Sequence, residues 1–337
     1  MEAPDFLYAA ASEKVAEMPA KIFIDGEAGT TGLQIRSRLE GRCELELLRL
    51  EESERKDTAR RREMLNAADI VILCLPDDAA REAVSLIENP ATRVIDASTA
   101  HRTAEGWVYG FPEYEPEQAD RIAQAARVAN PGCYAITAVA ILHPLVKAGL
   151  LAPDWPVSIN AVSGYSGGGK SLIAEFEDKN SPDYTKAAFF VYGLGLSHKH
   201  VPEITRWSGL AHRPLFVPSV GRFAQGMIVQ VPLALWAMPG TPSPGDIHAA
   251  LADHYAPQGV TRGSVFVPAL AENAALSRLD PEELNGTNRL CLYVFASPDG
   301  DQAVVMGLLD NLGKGASGQA VQNLNLMLGL PDDTGLV

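Results

Sequence analysis

The sequence holds no apolar run near the roughly 20 residues that a membrane-spanning helix requires, and Gly, Pro or charged residues break most of its hydrophobic stretches. No membrane partner is expected. The first 20 residues carry Glu2 and Asp5 and lack a basic segment leading into a long apolar one. They do not read as a secretory signal, and the expected location is the cytoplasm. Cysteine is scarce: Cys43, Cys74, Cys133 and Cys291 form no CxxC pair and have no histidines at zinc spacing. Neither a disulfide framework nor a metal site is indicated. Positive charge is in deficit, with 28 Lys and Arg against 42 Asp and Glu and a net charge of -14. That balance opposes a nucleic-acid partner, whose binding rests largely on cation contacts to phosphate. It leaves room for a small anionic substrate held by local cations.

Hydrophobic residues make up 47% of the 337-residue chain, and no long segment is of low complexity. Single cores stop growing near roughly 250 to 300 residues, so two domains are expected. The first hundred residues alternate apolar runs with helical stretches: KIFID (21–25), ELELLRL (44–50), DIVILCLP (69–76) and RVIDAS (93–98). This is a βαβ pattern that predicts a parallel sheet. A fifth strand at 127–129 runs into NPGCYA, followed by helical spacing over 136–147. From residue 157 the candidates change to VSINAVSGY, MIVQVPLAL, GSVFVPAL, RLCLYVFAS and QAVVMGLLD with Gly/Pro-rich turns between them, which suggests a mixed or antiparallel sheet. Residues 315–328 read as one amphipathic helix returning to the first domain. Residues 1–18 are read as a disordered extension.

GEAGTTG (26–32) follows the first strand and opens a helix carrying Leu33, Ile35 and Leu39. That order suits a dinucleotide site, because glycines admit a pyrophosphate close to the backbone and a helix N-terminus attracts it. The spacing is GxxGxxG rather than GxGxxG, and a tight turn needing glycine is the structural alternative. Glu51 and Glu52 lie where an acid would bind a ribose hydroxyl and favour NAD, whereas Arg49, Arg55 and Lys56 would suit a 2′-phosphate. Residue types alone leave that choice open.

Cys133 follows Pro131 and Gly132 and precedes helix-compatible residues, so it belongs near a helix N-terminus, where the dipole and free amides favour a thiolate. The same amides would form an oxyanion hole. A thiol nucleophile needs a proton partner, and SHKHVPEI supplies His198 and His200. His200 is the favoured acid/base, oriented through Glu203 or its neighbours, with His198 as the alternative. GYSGGGKS (164–171) offers flexible amides and a lysine for an anion. Gly164, Gly169, Lys170 and Ser171 also satisfy the GxxxxGK[ST] spacing, but the segment does not open the βαβ region.

Together GEAGTTGLQIRSRL, DASTAHR, GFPE, NPGCYA, SGYSGGGK, HKHVPEI and DNLGKGASGQAVQNLN resemble the N-acetyl-gamma-glutamyl-phosphate reductases, in particular the shorter, second type, from about Lys21 onward. The resemblance implies an α/β fold in which a Rossmann-type dinucleotide domain (19–132 and 311–337) joins an α+β catalytic and oligomerisation domain (133–310), as in glyceraldehyde-3-phosphate dehydrogenase. It implies NADP as cofactor, phosphate as a partner, a homodimer or homotetramer, and a thioester on Cys133. His200 is then the proton carrier, with His198 in reserve. Gly26, Gly29, Thr30, Thr31, Gly32, Pro76, Ser98, Asn311, Lys314 and Gly315 form the expected cofactor set. Arg102, Asn130, Ser163, Gly167, Gly168 and Lys170 form the expected substrate set. Aspartate-semialdehyde dehydrogenase is the nearest rival reading, and a cofactor-free thiol hydrolase or acyltransferase is a second.

Overall fold

The computed structural model describes residues 18–256 and 263–337. The expectation for the N-terminal extension falls, apart from Met18, outside the described residues. The chain runs β1 (Ala20–Asp25), α1 (Thr30–Leu39), β2 (Leu45–Leu48), α2 (Thr58–Ala67), β3 (Ile70–Leu73), α3 (Asp77–Ser85) and β4 (Arg93–Asp96). β5 (Val108–Tyr109), α4 (Gln118–Gln124), β6 (Arg127–Ala129) and α5 (Cys133–Lys147) follow. The first sheet has the order β2-β1-β3-β4-β6-β5, and every adjacent pair is parallel. β3 is IVIL with all four residues buried, as a strand covered on both faces must be.

The second half adds β7 (Ser158–Gly164), α6 (Gly169–Glu177), β8 (Phe189–Val191), α7 (Val201–Ser208), β9 (Leu215–Gly221) and β10 (Met227–Ala234). It continues through α8 (Pro244–His254), β11 (Val265–Phe266), α9 (Leu270–Ala274), β12 (Leu290–Ala296), β13 (Gln302–Leu309) and α10 (Gly318–Met327). Its sheet has the order β11-β12-β13-β10-β7-β9-β8. The sheet is mixed, with β7/β9 and β11/β12 parallel and the remaining pairs antiparallel. One apolar core joins this sheet to α5, α7 and α8. Two further clusters cover the two faces of the first sheet.

Several elements depart from the sequence reading. β9 was not anticipated, because Pro218 interrupts its pattern. Pro218 is tolerated because its missing N–H falls just past Val191–Ser219, where the β8 ladder ends. GSVFVPAL forms only the two residues of β11. Cys43 sits exposed in the turn before β2.

The C-terminal segment is not one amphipathic helix. A π-helical turn over Gly313–Ser317 leads into α10, and all ten residues of α10 are buried. Its apolar face, Ala320, Val321 and Leu324, packs with Ile22, Ile24 and Ile35 of the first sheet and α1. Its amide nitrogens tie it to the first domain and the C-terminal turn: Asn323 donates to Gly110 O and Asn130 Oδ1, and Asn325 donates to Asp332 O and Thr334 O, while Gln319 Oε1 and Asn325 Oδ1 are left without partners. Among the described residues no helix is long and apolar enough to cross a membrane, and no cluster of three or more His, Cys, Asp or Glu is placed to hold a metal.

Candidate active site

Gly26 leaves β1 with φ +90°, and a Cβ there would lie 2.4 Å from the Cys74 carbonyl oxygen. A Cβ on Gly32 would lie 2.5 Å from Gly26 O. These two positions therefore require glycine to bring the start of α1 against the ends of β1 and β3. Gly29 is the N-cap and supplies no side-chain cap, so the first amides of α1 face outward without a protein acceptor. Gly29, Thr30 and Thr31 line a cavity of about 820 Å³ that extends past Cys133.

On the other side of the loop a second cavity of about 430 Å³ is lined by Asp25, Gly26, Glu27, Arg49, Arg55, Lys56 and Arg61, among others. Arg61 is held by Asp25 at 2.9 Å, Arg55 by Glu27 at 2.6 Å and Arg49 by Glu40 at 3.1 Å. Glu51 and Glu52 do not line this cavity. The Glu51 N–H donates to Glu54 Oε2 in a short 3₁₀ turn. The position directly after β2, which a ribose-binding acid would occupy, is thus Arg49. An uncapped helix N-terminus between two cavities, one of them cationic, fits a phosphorylated dinucleotide.

Cys133 is the first residue of α5, and Gly132 is its uncapped N-cap. The helix start was legible, but the charge state was not. Burial pushes the thiol up to about 11, against the opposing effects of the Tyr134 backbone N–H and the charges of Arg102 and Lys199. That direction favours the protonated thiol in the free protein, where the helix terminus by itself favours a thiolate.

A Cβ on Gly132 would lie 2.4 Å from Arg102 Nη1 and 2.5 Å from His200 Nε2. Glycine is required here because the two side chains close on the residue before the cysteine. His200 caps α7 and is 5% exposed. Burial, with Arg102, His198 and Lys199 nearby, holds its imidazole well below the usual range, so it is neutral. Its Nδ1 has no partner. His198 is engaged differently: its Nδ1 accepts the His200 N–H at 3.1 Å, its Nε2 lies 3.4 Å from Tyr192 Oη, and burial lowers its pKa to about 4.

Glu203, expected to orient a histidine, instead joins three other groups. Oε1 accepts the Gly132 N–H at 3.0 Å and the Tyr109 hydroxyl at 2.9 Å, and Oε2 accepts Arg102 Nη1 at 3.2 Å. Arg102 also donates Nε to Asn130 O and Nη2 to Ala97 O. Asn130 is fixed in turn by Ala316 O and Asn323.

Asn311 and Gly315 line the large cavity. Asn311 accepts the Gly226 N–H and donates to Ser166 Oγ. A Cβ on Gly315 would lie 2.8 Å from Cys133 Cβ. Lys314 does not face this space: it is fully buried, with Nζ 3.0 Å from Glu113 Oε2 and 2.7 Å from Gln322 Oε1. Ser98 is likewise bonded to the buried Asp96, which also holds His101 Nδ1 at 2.6 Å. Pro76 is exposed at the start of α3. These three expected cofactor residues are not brought into the cavity.

Ser163, Gly167, Gly168 and Lys170 do line it. The backbone N–H groups of Gly164, Tyr165 and Ser166 donate to Gly226, Phe223 and Ala224 carbonyls, so those three amides are occupied by the protein. The sequence reading missed Lys199, Tyr134 and Tyr192, which share the cavity. Lys199 alone had a signal, its place between two candidate histidines.

A glycine loop for a dinucleotide, joined by one cavity to a half-buried thiol and a neutral imidazole, fits the class of semialdehyde dehydrogenases. Family models for the semialdehyde dehydrogenase NAD binding domain and dimerisation domain match residues 21–122 and 133–311. Curated proteins called N-acetyl-gamma-glutamyl-phosphate reductase from Brucella ovis and Brucella canis are each 58% identical over 313 residues, 93% of this chain and 100% of theirs. The chain belongs to the N-acetyl-gamma-glutamyl-phosphate reductase family. Among solved structures, Vibrio cholerae aspartate semialdehyde dehydrogenase II aligns with TM-score 0.65 at 14% identity over 93% of this chain and 99% of its own. Aspartate semialdehyde dehydrogenase from Francisella tularensis aligns with TM-score 0.65 at 12% identity over 92% and 100%. At those identities the likeness concerns the fold.

Proposed function

We propose that the chain reduces N-acetyl-γ-glutamyl phosphate to N-acetylglutamate γ-semialdehyde with NADPH, releasing phosphate, through a thioester on Cys133. The observation that carries the chemistry is the closure of His200 Nε2 and Arg102 Nη1 on Gly132, at the start of the helix that bears Cys133. A thiol held near 11 needs a base at the moment of attack, and an imidazole kept neutral by burial is competent to be that base. Cys133 Sγ attacks the acyl carbon as His200 takes its proton, and the carbon–oxygen bond to phosphate breaks with the electron pair leaving on phosphate. The uncapped amides at the start of α5 stabilise the oxyanion. NADPH, when bound, supplies the hydride that the thioester carbonyl accepts. The proton on His200 returns to Sγ as the aldehyde departs. Glu203 and Arg102 hold the Gly132 turn in register, and His198 fixes the loop that bears His200.

Arg49, Arg55 and Lys56 around the smaller cavity support NADP over NAD. We also infer a cytoplasmic homodimer or homotetramer, a reading supported by the match to a dimerisation-domain model. The test is phosphate-dependent formation of reduced nicotinamide with N-acetylglutamate semialdehyde and aspartate semialdehyde compared side by side. Turnover of the acetylated substrate that disappears in Cys133→Ala is expected. Preference for the free amine moves the assignment to aspartate semialdehyde chemistry, and cofactor-independent thioester hydrolysis overturns the reductase reading.

A further inference from the structure

We propose that two lysines on different walls of the large cavity divide the anionic ends of the substrate between them, Lys199 receiving the phosphate beside Cys133 and Lys170 the distant α-carboxylate. This rests on the substrate class proposed above, which carries two anionic groups and is bound in a protein of net charge -14.

The cations lining the cavity are Arg102, Lys170 and Lys199. Arg102 is already engaged. Each of its guanidinium nitrogens donates to a protein acceptor, and its charge is matched by the buried carboxylate of Glu203. It retains N–H groups for a ligand, and its charge acts on Cys133 and His200 as well, but its guanidinium is held in place by Glu203 and the two carbonyls. Among the described residues neither lysine makes a hydrogen bond or an ion pair, although the Lys199 charge also helps lower the Asp77 pKa, and both line the cavity wall.

The two ammonium groups are not equivalent. Lys199 adjoins His200, whose ring closes on Gly132 directly before Cys133. Its charge acts on Cys133, His198 and His200. Lys170 is the second residue of α6, on the wall that also contributes Leu172 and Glu175. Its charge is not felt at either histidine. The phosphate is bonded to the carbon that Sγ attacks, so it lies on the side of the cavity where Lys199, the unpaired cation whose charge acts on Cys133, is placed. The carboxylate sits at the other end of the acyl chain, where Lys170 is the uncommitted cation. When the carbon–oxygen bond breaks and phosphate gains the electron pair, a fixed ammonium stabilises the added charge.

The experiment reads Cys133 directly in the full-length protein. In a Cys43→Ser background, which removes the exposed thiol, the rate of Cys133 alkylation by iodoacetamide is measured against inorganic phosphate for wild type, Lys199→Met, Lys199→Arg and Lys170→Met. Phosphate is expected to slow alkylation in wild type and in Lys170→Met. Lys199→Met should require about tenfold more phosphate or worse, since one charge-assisted contact is lost, and Lys199→Arg should stay within a few-fold of wild type. Steady-state kinetics in the aldehyde-oxidising direction should show the same division: Lys199→Met raises the KM for phosphate, and Lys170→Met raises the KM for N-acetylglutamate semialdehyde. Protection that survives Lys199→Met, that is lost in Lys170→Met, or that is absent in wild type overturns the assignment. Lys199→Gln repeats the measurement if the Met variant does not fold. A wild type that protects as described but turns over only a different aldehyde refutes the substrate reading and leaves the phosphate site standing.

Discussion

Glu203 Oε1 accepts the N–H of Gly132 at 3.0 Å, tying the residue before the nucleophile to the helix that His200 caps. The carboxylate also compensates Arg102, and burial raises its pKa. Removing it leaves a buried guanidinium unmatched, and breaking such a pair typically costs about 3–5 kcal/mol. Glu203→Ala should lose stability of that order in urea unfolding. Glu203→Gln keeps an acceptor for Gly132 and should fold. It should nonetheless lower kcat about tenfold or more, because the Arg102 and Cys133 positions shift relative to each other.

The state of the Cys133 thiol fixes a pH profile. Burial raises its pKa to about 11, so the anion fraction grows about tenfold per pH unit from neutrality to that value. Alkylation of the free protein should therefore climb through the alkaline range with no plateau near neutral pH. A plateau near pH 7 would mean that Cys133 and His200 form a thiolate–imidazolium pair. His200→Asn should reduce kcat by about 10²–10⁴, with little change in the alkylation profile.

Gly315 sets the distance between the C-terminal segment and the nucleophile. A Cβ there would lie 2.8 Å from Cys133 Cβ. Gly315→Ala must displace one of the two backbones. Because a shift of about 1 Å can cost 10²-fold in rate, kcat should fall by about that factor while the circular dichroism spectrum stays that of the wild type.

Arg49 stands where an NAD-selective protein would place its acid, and Arg55 shares the same cavity. Arg49→Ala and Arg55→Ala should each weaken NADPH binding by about tenfold in fluorescence titration and leave NADH binding within a few-fold. Equal losses for both cofactors would remove these arginines from 2′-phosphate recognition.

Much of this was legible in the sequence, and what was not has physical reasons. The parallel strands of the first sheet were visible because strands buried on both faces are continuous apolar runs, as in IVIL of β3. Gly26 and Gly32 were visible because the close approaches they permit exclude any side chain. β9 was hidden by Pro218, whose tolerance depends on where a neighbouring strand ends. The hub role of Glu203 was hidden because its partners Gly132, Tyr109 and Arg102 lie far from it in the chain. The Cys133 charge state was not legible because local cues to the helix terminus say nothing of burial, which here pushes the thiol pKa up against them.

Lys314 is the sharpest test of position against motif. Its place in DNLGKGASGQ suggested the cofactor, yet its ammonium is fully buried and bonded to Glu113 at 3.0 Å and Gln322 at 2.7 Å, with Phe111 beneath it. Burial lowers its pKa against the pull of Glu113, while Lys314 helps hold the Glu113 carboxyl below its usual range against burial. The pair joins the start of the C-terminal segment to the turn after β5. Lys314→Met leaves the Glu113 charge buried and should destabilise the protein by about 3–5 kcal/mol. Glu113→Gln combined with Lys314→Met removes both charges and should recover much of that loss, since replacing a whole buried pair is often close to neutral. If Lys314 served the cofactor, the double variant would be stable but unable to bind NADPH. The geometry predicts the reverse, a double variant whose NADPH affinity remains within a few-fold of wild type.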